Sequence, residues 1–163
     1  MKPPRTFKTS IDLPAAVREP INALLNQQLA DTFDLQSQTK QAHWNVKGPQ
    51  FIALHELFDK LAEEMEEHID DIAERVTALG GTALGTARLA AAASRLAEYP
   101  LDIGDGKQHV AALVQRYAAL AATTRAAIET ANQKGDVDTA DLFTGVSRAL
   151  DKSLWFLEAH MQE

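Results

Sequence analysis

Length, composition and charge exclude several classes of protein. The chain has 163 residues, which favours a single domain large enough to bury a core. It contains no cysteine, so disulfides and thiolate metal sites are excluded, and any metal must bind nitrogen and oxygen ligands. The net charge of −7 argues against a dedicated nucleic-acid binder and suits a protein that handles cations. We find neither a signal peptide nor an apolar run of about 20 residues, so we expect a soluble, cytoplasmic protein without membrane contact.

The first half of the chain predicts a tail and two long helices. Residues 1–18 show little periodicity and predict a flexible N-terminal tail, followed by a domain over residues 19–163. The first helix is predicted over residues 19–46, with Pro20 in its first turn and Gly48-Pro49 beyond its end. The second helix ends at Gly80-Gly81. Its apolar stripe comprises Leu54, Phe58, Leu61, Met65, Ile69, Ile72, Val76 and Leu79.

The second half predicts two more long helices after a long connection. Residues 87–96 predict a short helix within that connection, before Tyr99-Pro100. A long helix follows over residues 106–133, and another starts near Asp138 and runs to the end of the chain. Four long amphipathic helices with one long and two short connections predict an all-α, ferritin-like four-helix bundle with a short extra helix in the long crossover.

Four potential metal ligands share one face of the second helix. On a helical wheel with about 100° per residue, His55, Asp59, Asp70 and Glu74 fall within an arc of about 100°. The apolar stripe lies on a different side, so the ligand face does not pack into this chain's own core. Acidic residues on an exposed helix face are usually only solvated, and this alternative stays open for each carboxylate taken singly.

The spacing of these residues indicates a site shared between two chains. The His55/Asp59 pair and the Asp70/Glu74 pair lie about 22 Å apart along a straight helix, too far for one metal ion. A twofold axis near residues 64–65 would bring the first pair of one chain to the second pair of another, giving two identical sites. The ligand set suits iron, manganese and zinc. No Glu-x-x-His pair, typical of di-iron sites inside a bundle, occurs in the chain.

Two stretches of the sequence resemble a known family. They are His43-Trp44-Asn45-Val46-Lys47-Gly48-Pro49-Gln50-Phe51-Ile52-Ala53-Leu54-His55-Glu56-Leu57-Phe58-Asp59 and Asp70-Asp71-Ile72-Ala73-Glu74-Arg75. Together they resemble the signature of the Dps family, the mini-ferritins also called DNA-binding proteins from starved cells. Tyr99-Pro100-Leu101-Asp102, Asp138-Thr139-Ala140-Asp141 and Asp151-Lys152-Ser153-Leu154-Trp155-Phe156 extend the resemblance over most of the chain.

The resemblance implies an iron-oxidising enzyme. It implies a ferroxidase centre at a twofold interface, with His43, His55 and Asp59 from one chain and Asp70 and Glu74 from its partner. It also implies hydrogen peroxide as the preferred oxidant, and storage of ferric mineral that protects against oxidative stress. Zinc or manganese could occupy the same ligands. Trp44 matches a tryptophan close to the iron that intercepts oxidising equivalents, and packing at an interface is an equal alternative role for Trp44.

The resemblance also implies an assembly and a rival function. The family forms a hollow homo-dodecamer, and Asp136, Asp138 and Asp141 match the threefold pore through which iron enters; capping of a helix by Asp136 or Asp138 is the alternative. DNA binding through Lys2, Arg5 and Lys8 of the tail would make this a nucleoid protein with secondary iron chemistry. His68, His109 and His160 match no ligand position, and we expect ordinary surface or capping residues.

Overall fold

The computed structural model describes residues 4–162, and within them five helices and no β-strand. The helices are α1 (Ala15–Asn45), α2 (Phe51–Ala78), α3 (Ala87–Ala93), α4 (Gly106–Gln133) and α5 (Val137–Glu158). α1 packs along α2, α4 packs along α5, and the short α3 lies against α1 within the long crossover. The predicted all-α four-helix bundle with a short crossover helix is therefore confirmed. No helix in the described range is long and apolar enough to cross a membrane.

The core is built from the predicted apolar stripes. Leu54, Phe58, Met65, Ile72 and Val76 of α2 are fully buried, whereas Ile69 is only partly buried against that core. The other long helices bury the apolar residues Ile21, Leu25, Leu29, Leu35, Val110, Leu113, Tyr117, Leu120, Phe143, Val146, Leu150 and Leu157. Burial of these faces provides the main favourable term for folding, about 25 cal/mol per Å² of apolar surface.

The first helix begins earlier than the periodicity predicts. α1 starts at Ala15 rather than at residue 19, so Pro20 lies inside the helix and not in its first turn. The early start is held by a distant contact: the Arg18 guanidinium donates to the carbonyl oxygens of Leu13 and Leu79 at 3.0 and 2.9 Å. Pro20 removes one intrahelical hydrogen bond, which is tolerated because it lies close to the partly exposed start of the helix.

The described part of the predicted tail lies against the bundle. The Phe7 amide donates to the Gly80 carbonyl at 2.8 Å, and the Thr82 hydroxyl donates to the Arg5 carbonyl at 2.6 Å. Gly80 has φ +79°, and a Cβ there would meet the Phe7 oxygen at 2.4 Å, so both its conformation and the close approach of the segment require glycine. Lys2 lies outside the described residues.

Candidate metal centre

A tight connection between α1 and α2 brings two imidazoles together. α1 ends at Asn45, the chain turns at Gly48 with φ +111°, and α2 begins at Phe51. His43 therefore lies in the last turn of α1 and His55 in the second turn of α2. Their rings stack with centroids 3.8 Å apart and an interplanar angle of 21°. His43 is 8% exposed, and His55 is partly buried.

Each imidazole is held by the backbone of the other helix. Nδ1 of His43 lies 2.8 Å from the carbonyl oxygen of His55, and Nδ1 of His55 lies 2.9 Å from the carbonyl oxygen of His43. A carbonyl can only accept, so both Nδ1 atoms carry the proton and both Nε2 atoms keep their lone pairs. In a neutral ring this tautomer leaves Nε2 able to bind a metal ion, and the contact with the carbonyl fixes the ring orientation.

Asp59 lies beside the imidazoles, and Lys40 contacts it. Asp59 is one turn beyond His55, and its Oδ1 lies 3.8 Å from Nδ1 of His43. Lys40, one turn before His43 on α1, donates a short hydrogen bond to the same carboxylate oxygen. This hydrogen bond is the largest effect and lowers the pKa of Asp59. Desolvation opposes it as the second-largest effect, and the charges of Lys40 and of His43 and His55 in their protonated forms lower the pKa by smaller amounts. Lys40 was missed in the sequence, although its position three residues before His43 places it on the same helix face.

Asp70 and Glu74 are not brought to this cluster. Both lie exposed further along α2. Asp70 lines a surface groove of about 690 Å³ whose apolar wall is formed by Leu29, Ile69 and Ala73. Within residues 4–162, no group of three or more His, Cys, Asp or Glu side chains is arranged to hold a metal ion. One chain thus presents an imidazole half, comprising His43, His55 and Asp59, and a separate acidic half, comprising Asp70 and Glu74.

Exposed apolar side chains surround the imidazole half. Trp44 is 64% exposed, Ile52 is 61% exposed and Phe51 is 40% exposed, and the Phe51 ring lies 5.1 Å from the His55 ring. The Lys40 ammonium lies 5.9 Å from the centre of the Trp44 ring. Large apolar residues grouped around polar side chains are typical of a surface that meets another protein surface.

The three aspartates assigned to a pore differ in their surroundings. Asp136 is 2% exposed and caps α5, accepting hydrogen bonds from the Thr139 amide and hydroxyl. It also accepts a 2.7 Å hydrogen bond from the Arg75 guanidinium. In this structure Asp136 therefore caps a helix, the alternative to a role in the pore, and its buried carboxylate does not face solvent. Asp138 and Asp141 are exposed, and Asp141 shares a groove of about 450 Å³ with Glu74.

The remaining histidines are not all surface residues. His160 bonds the Phe156 carbonyl at the end of α5, as expected of a capping residue, and His68 is partly exposed. His109, in contrast, is 1% exposed, and its Nδ1 lies 2.7 Å from the Tyr99 hydroxyl. The expectation of a surface or capping role for His109 is wrong, because the crossover covers the first turn of α4.

Comparison with known proteins identifies the class of this bundle. The family model of the ferritin-like domain matches residues 22–163. The chain is 50% identical over 159 residues to the DNA protection during starvation protein of Agrobacterium fabrum, with 98% of each chain covered. Among solved structures, Mycobacterium smegmatis Dps superposes with a TM-score of 0.92 at 31% identity, covering 98% of this chain and 96% of that one. DpsC from Streptomyces coelicolor gives a TM-score of 0.92 at 30% identity, covering 97% and 92%.

The chain is thus a ferritin-like protein. Within that class it belongs to the Dps family, as the two sequence stretches around the imidazoles and the acidic pair predict.

Proposed function

We propose that this protein is a ferroxidase and iron-storage protein. It oxidises ferrous iron at sites shared between two copies, prefers hydrogen peroxide as the oxidant, and holds ferric mineral inside a hollow dodecameric shell in the cytoplasm. The observation that carries this proposal is the imidazole half. Its two stacked rings are bonded through Nδ1 to backbone carbonyls, which leaves both Nε2 lone pairs free, and the carboxylate of Asp59 lies 3.8 Å from Nδ1 of His43.

Two halves from different chains make a complete site. The imidazole half supplies two nitrogens and the oxygens of Asp59, and the acidic half of a second copy supplies the carboxylates of Asp70 and Glu74. The exposed Trp44, Phe51 and Ile52 around the imidazole half would pack against the partner chain at this interface. Antiparallel pairing of two α2 helices about a twofold axis generates two identical sites.

The chemistry needs a mixed ligand set. Carboxylates hold both ferrous and ferric iron, and a carboxylate can bridge two ions. Two ferrous ions together deliver two electrons to one hydrogen peroxide molecule, which takes up two protons and leaves as two water molecules. Pairing the electrons in this way avoids the one-electron reduction that would release hydroxyl radical. Zinc or manganese would compete with iron for the same ligands. Bound zinc would block iron oxidation at the site because zinc has no redox step.

Exposed carboxylates would guide the substrate. Asp138 and Asp141 at the start of α5 would line a threefold pore and attract ferrous ions. The groove that Asp141 shares with Glu74 would lead from this pore towards the acidic half. Asp136 acts as a positioning residue here, because its ion pair with Arg75 ties the start of α5 to the turn of α2 that carries Glu74.

A double substitution of the imidazoles tests the proposal. His43→Ala/His55→Ala should abolish fast oxidation of ferrous iron by stoichiometric peroxide in the absence of oxygen, followed by absorbance of the ferric product. Repeating the assay with dioxygen measures the preference for the oxidant. His160→Ala, which removes a histidine at the end of α5, is the matched control and should oxidise at the wild-type rate. A double variant with the wild-type rate would refute the site.

DNA binding is a second candidate function, with iron chemistry secondary. It is supported by the exposed Arg5 and Lys8 near the N-terminus, and by the name of the Agrobacterium relative. The net charge of −7 opposes it, so we expect binding only at low salt. A gel-shift titration should show retardation by the full chain and less by a chain lacking residues 1–10. The absence of a shift at micromolar protein would remove this function and leave the iron chemistry standing.

A further inference from the structure

A hydrogen-bonded tyrosine and histidine lie outside the candidate metal centre. Tyr99 belongs to the crossover after α3, and His109 lies in the first turn of α4. The Tyr99 hydroxyl is 2.7 Å from Nδ1 of His109, and the two rings are nearly parallel, with centroids 6.0 Å apart and an angle of 17°. His109 is almost wholly buried, so the pair is held in one arrangement by the surrounding bundle.

The protonation states of the pair make the phenol the donor. Burial lowers the pKa of His109, and the positive charge of Lys47 lowers it further. The negative charge of Asp105 and the Asn45 backbone oppose this shift, but the pKa stays below its ordinary value, so the ring is neutral at neutral pH. Burial raises the pKa of the Tyr99 phenol, opposed by the charge of Arg116, so the phenol keeps its proton. Nδ1 is the ring nitrogen that contacts the hydroxyl, and the buried Nε2 makes no hydrogen bond within the described residues. Because a protonated phenol is a better donor than acceptor, we assign the N–H to Nε2, so that Nδ1 accepts from the hydroxyl.

The other tyrosine of the chain lacks such a base. The sequence contains two tyrosines, and Tyr117 is fully buried among the four helices. Its hydroxyl lies 3.3 Å from the Thr39 hydroxyl, which is a very poor proton acceptor. Removing an electron from Tyr117 would therefore leave its acidic proton without a base to accept it within hydrogen-bond distance. Tyr99 is the tyrosine that can lose an electron and a proton together.

We propose that Tyr99 and His109 form a redox-active pair that consumes one-electron oxidants. The phenol of Tyr99 gives one electron to the oxidant, for example hydroxyl radical, which becomes hydroxide. Its O–H bond breaks in the same step, and the proton moves to Nδ1 of His109, leaving a neutral tyrosyl radical and an imidazolium. A small-molecule thiolate then gives one electron to the tyrosyl oxygen and becomes a thiyl radical, and the proton returns from His109 to that oxygen. The pair is thus restored.

The surroundings favour this step and place it near the candidate metal centre. The Arg116 guanidinium lies 5.7 Å from the centre of the Tyr99 ring, where a hydrogen bond to Gln38 holds it in place. Its positive charge disfavours a second positive charge on the ring, so the oxidised tyrosine must lose its proton. The Lys47 amide donates to the Gly104 carbonyl at 3.0 Å, which joins the start of α4 to the end of the helix that carries His43. Supply of oxidant from iron chemistry would depend on the proposed function, whereas the redox pair itself does not.

A metal-free experiment tests the pair independently of iron. The full-length assembled protein is illuminated with ruthenium tris-bipyridine and persulfate, a source of one-electron oxidant, and is freeze-trapped for electron paramagnetic resonance. We expect a neutral tyrosyl signal that narrows with ring-deuterated tyrosine. The signal should be lost in Tyr99→Phe and retained in the matched variant Tyr117→Phe. Equal tyrosyl yields in wild type and Tyr99→Phe, or a signal from tryptophan alone, would overturn the proposal.

A conservative change at His109 separates basicity from packing. His109→Gln keeps a hydrogen-bond acceptor near the hydroxyl but cannot take up its proton. The yield of the Tyr99 radical should fall severalfold in this variant, with the assembly unchanged by size-exclusion chromatography. In the wild type, radical formation should slow in deuterium oxide because the proton moves with the electron. A yield unchanged in His109→Gln, or a rate unchanged in deuterium oxide, would show that His109 does not accept the proton.

Discussion

Subunit mixing gives the sharpest test of a site shared between two chains. His55→Ala disables the imidazole half of a chain and leaves its acidic half intact, whereas Glu74→Ala does the reverse. Each variant alone should lack fast ferrous oxidation, because every site in its assembly contains one disabled half. In a mixed dimer, one site combines both disabled halves, and the other combines both intact halves. Mixing two inactive proteins should therefore restore activity.

The expected size of the recovery follows from twofold symmetry. In an equimolar random mixture about half of the dimers contain one subunit of each kind, and one of their two sites is intact, so about a quarter of all sites are restored. If each site lay within one chain, mixing would restore none. The reverse experiment combines the wild type with the double variant His55→Ala/Glu74→Ala. It should leave about a quarter of sites intact if they are shared and about half if they are not.

The assay needs subunit exchange and a count of active sites. Both variants are unfolded together, refolded and compared with the same proteins mixed after refolding, which serves as the control without exchange. Initial rates of peroxide-dependent oxidation, and the stoichiometry of tightly bound ferrous iron under anaerobic conditions, measure the fraction of intact sites. Co-refolded variants that stay as inactive as their parents, although mass spectrometry shows mixed assemblies, would refute the shared site.

Two further predictions concern ion pairs. Lys40→Met removes the hydrogen bond that lowers the pKa of Asp59. In the metal-free protein this pKa should therefore rise towards its ordinary value, and the carboxylate should become protonated at a higher pH. Carbon-13 NMR titration measures the pKa of Asp59, and an unchanged value would contradict the assignment. Asp136→Ala leaves the guanidinium of Arg75 without its buried partner and α5 without its cap, and should lower the free energy of unfolding by about 3 kcal/mol in urea titrations. Asp151→Ala breaks an exposed pair and is the matched control, expected to cost less than about 1 kcal/mol; equal losses would contradict the argument.

The fold could be predicted because its helices are amphipathic and its breaks are marked. The third long helix has the predicted bounds, residues 106–133, because Asp105 and Gln108 form a capping box at its start and Gly135 follows its end. The start of α1 could not be predicted in the same way. It depends on the Arg18 guanidinium reaching the Leu79 carbonyl, a contact between residues 61 positions apart that leaves no local pattern.

The candidate site was predictable where one helix carries it. The wheel places His55, Asp59, Asp70 and Glu74 on one face because helical geometry alone relates them. His43 comes from another helix, so only the family resemblance indicated it. The contacts of Asp136 with Arg75 and of His109 with Tyr99 join distant elements. Both contacts accompany the burial of Asp136 and His109, and a single sequence does not reveal which distant residues will be paired.

The backbone bonds of the two imidazoles explain why separate halves can serve one site. If side chains of the partner oriented the rings, an isolated chain would hold them loosely, and assembly would have to order them before iron could bind. Here the orienting carbonyls belong to His43 and His55 themselves, in the same chain. The ordering cost is therefore met during folding, and the partner need only supply carboxylates. It follows that Asp70 and Glu74 substitutions should leave the imidazole geometry intact, which is the condition under which mixed subunits can complement each other.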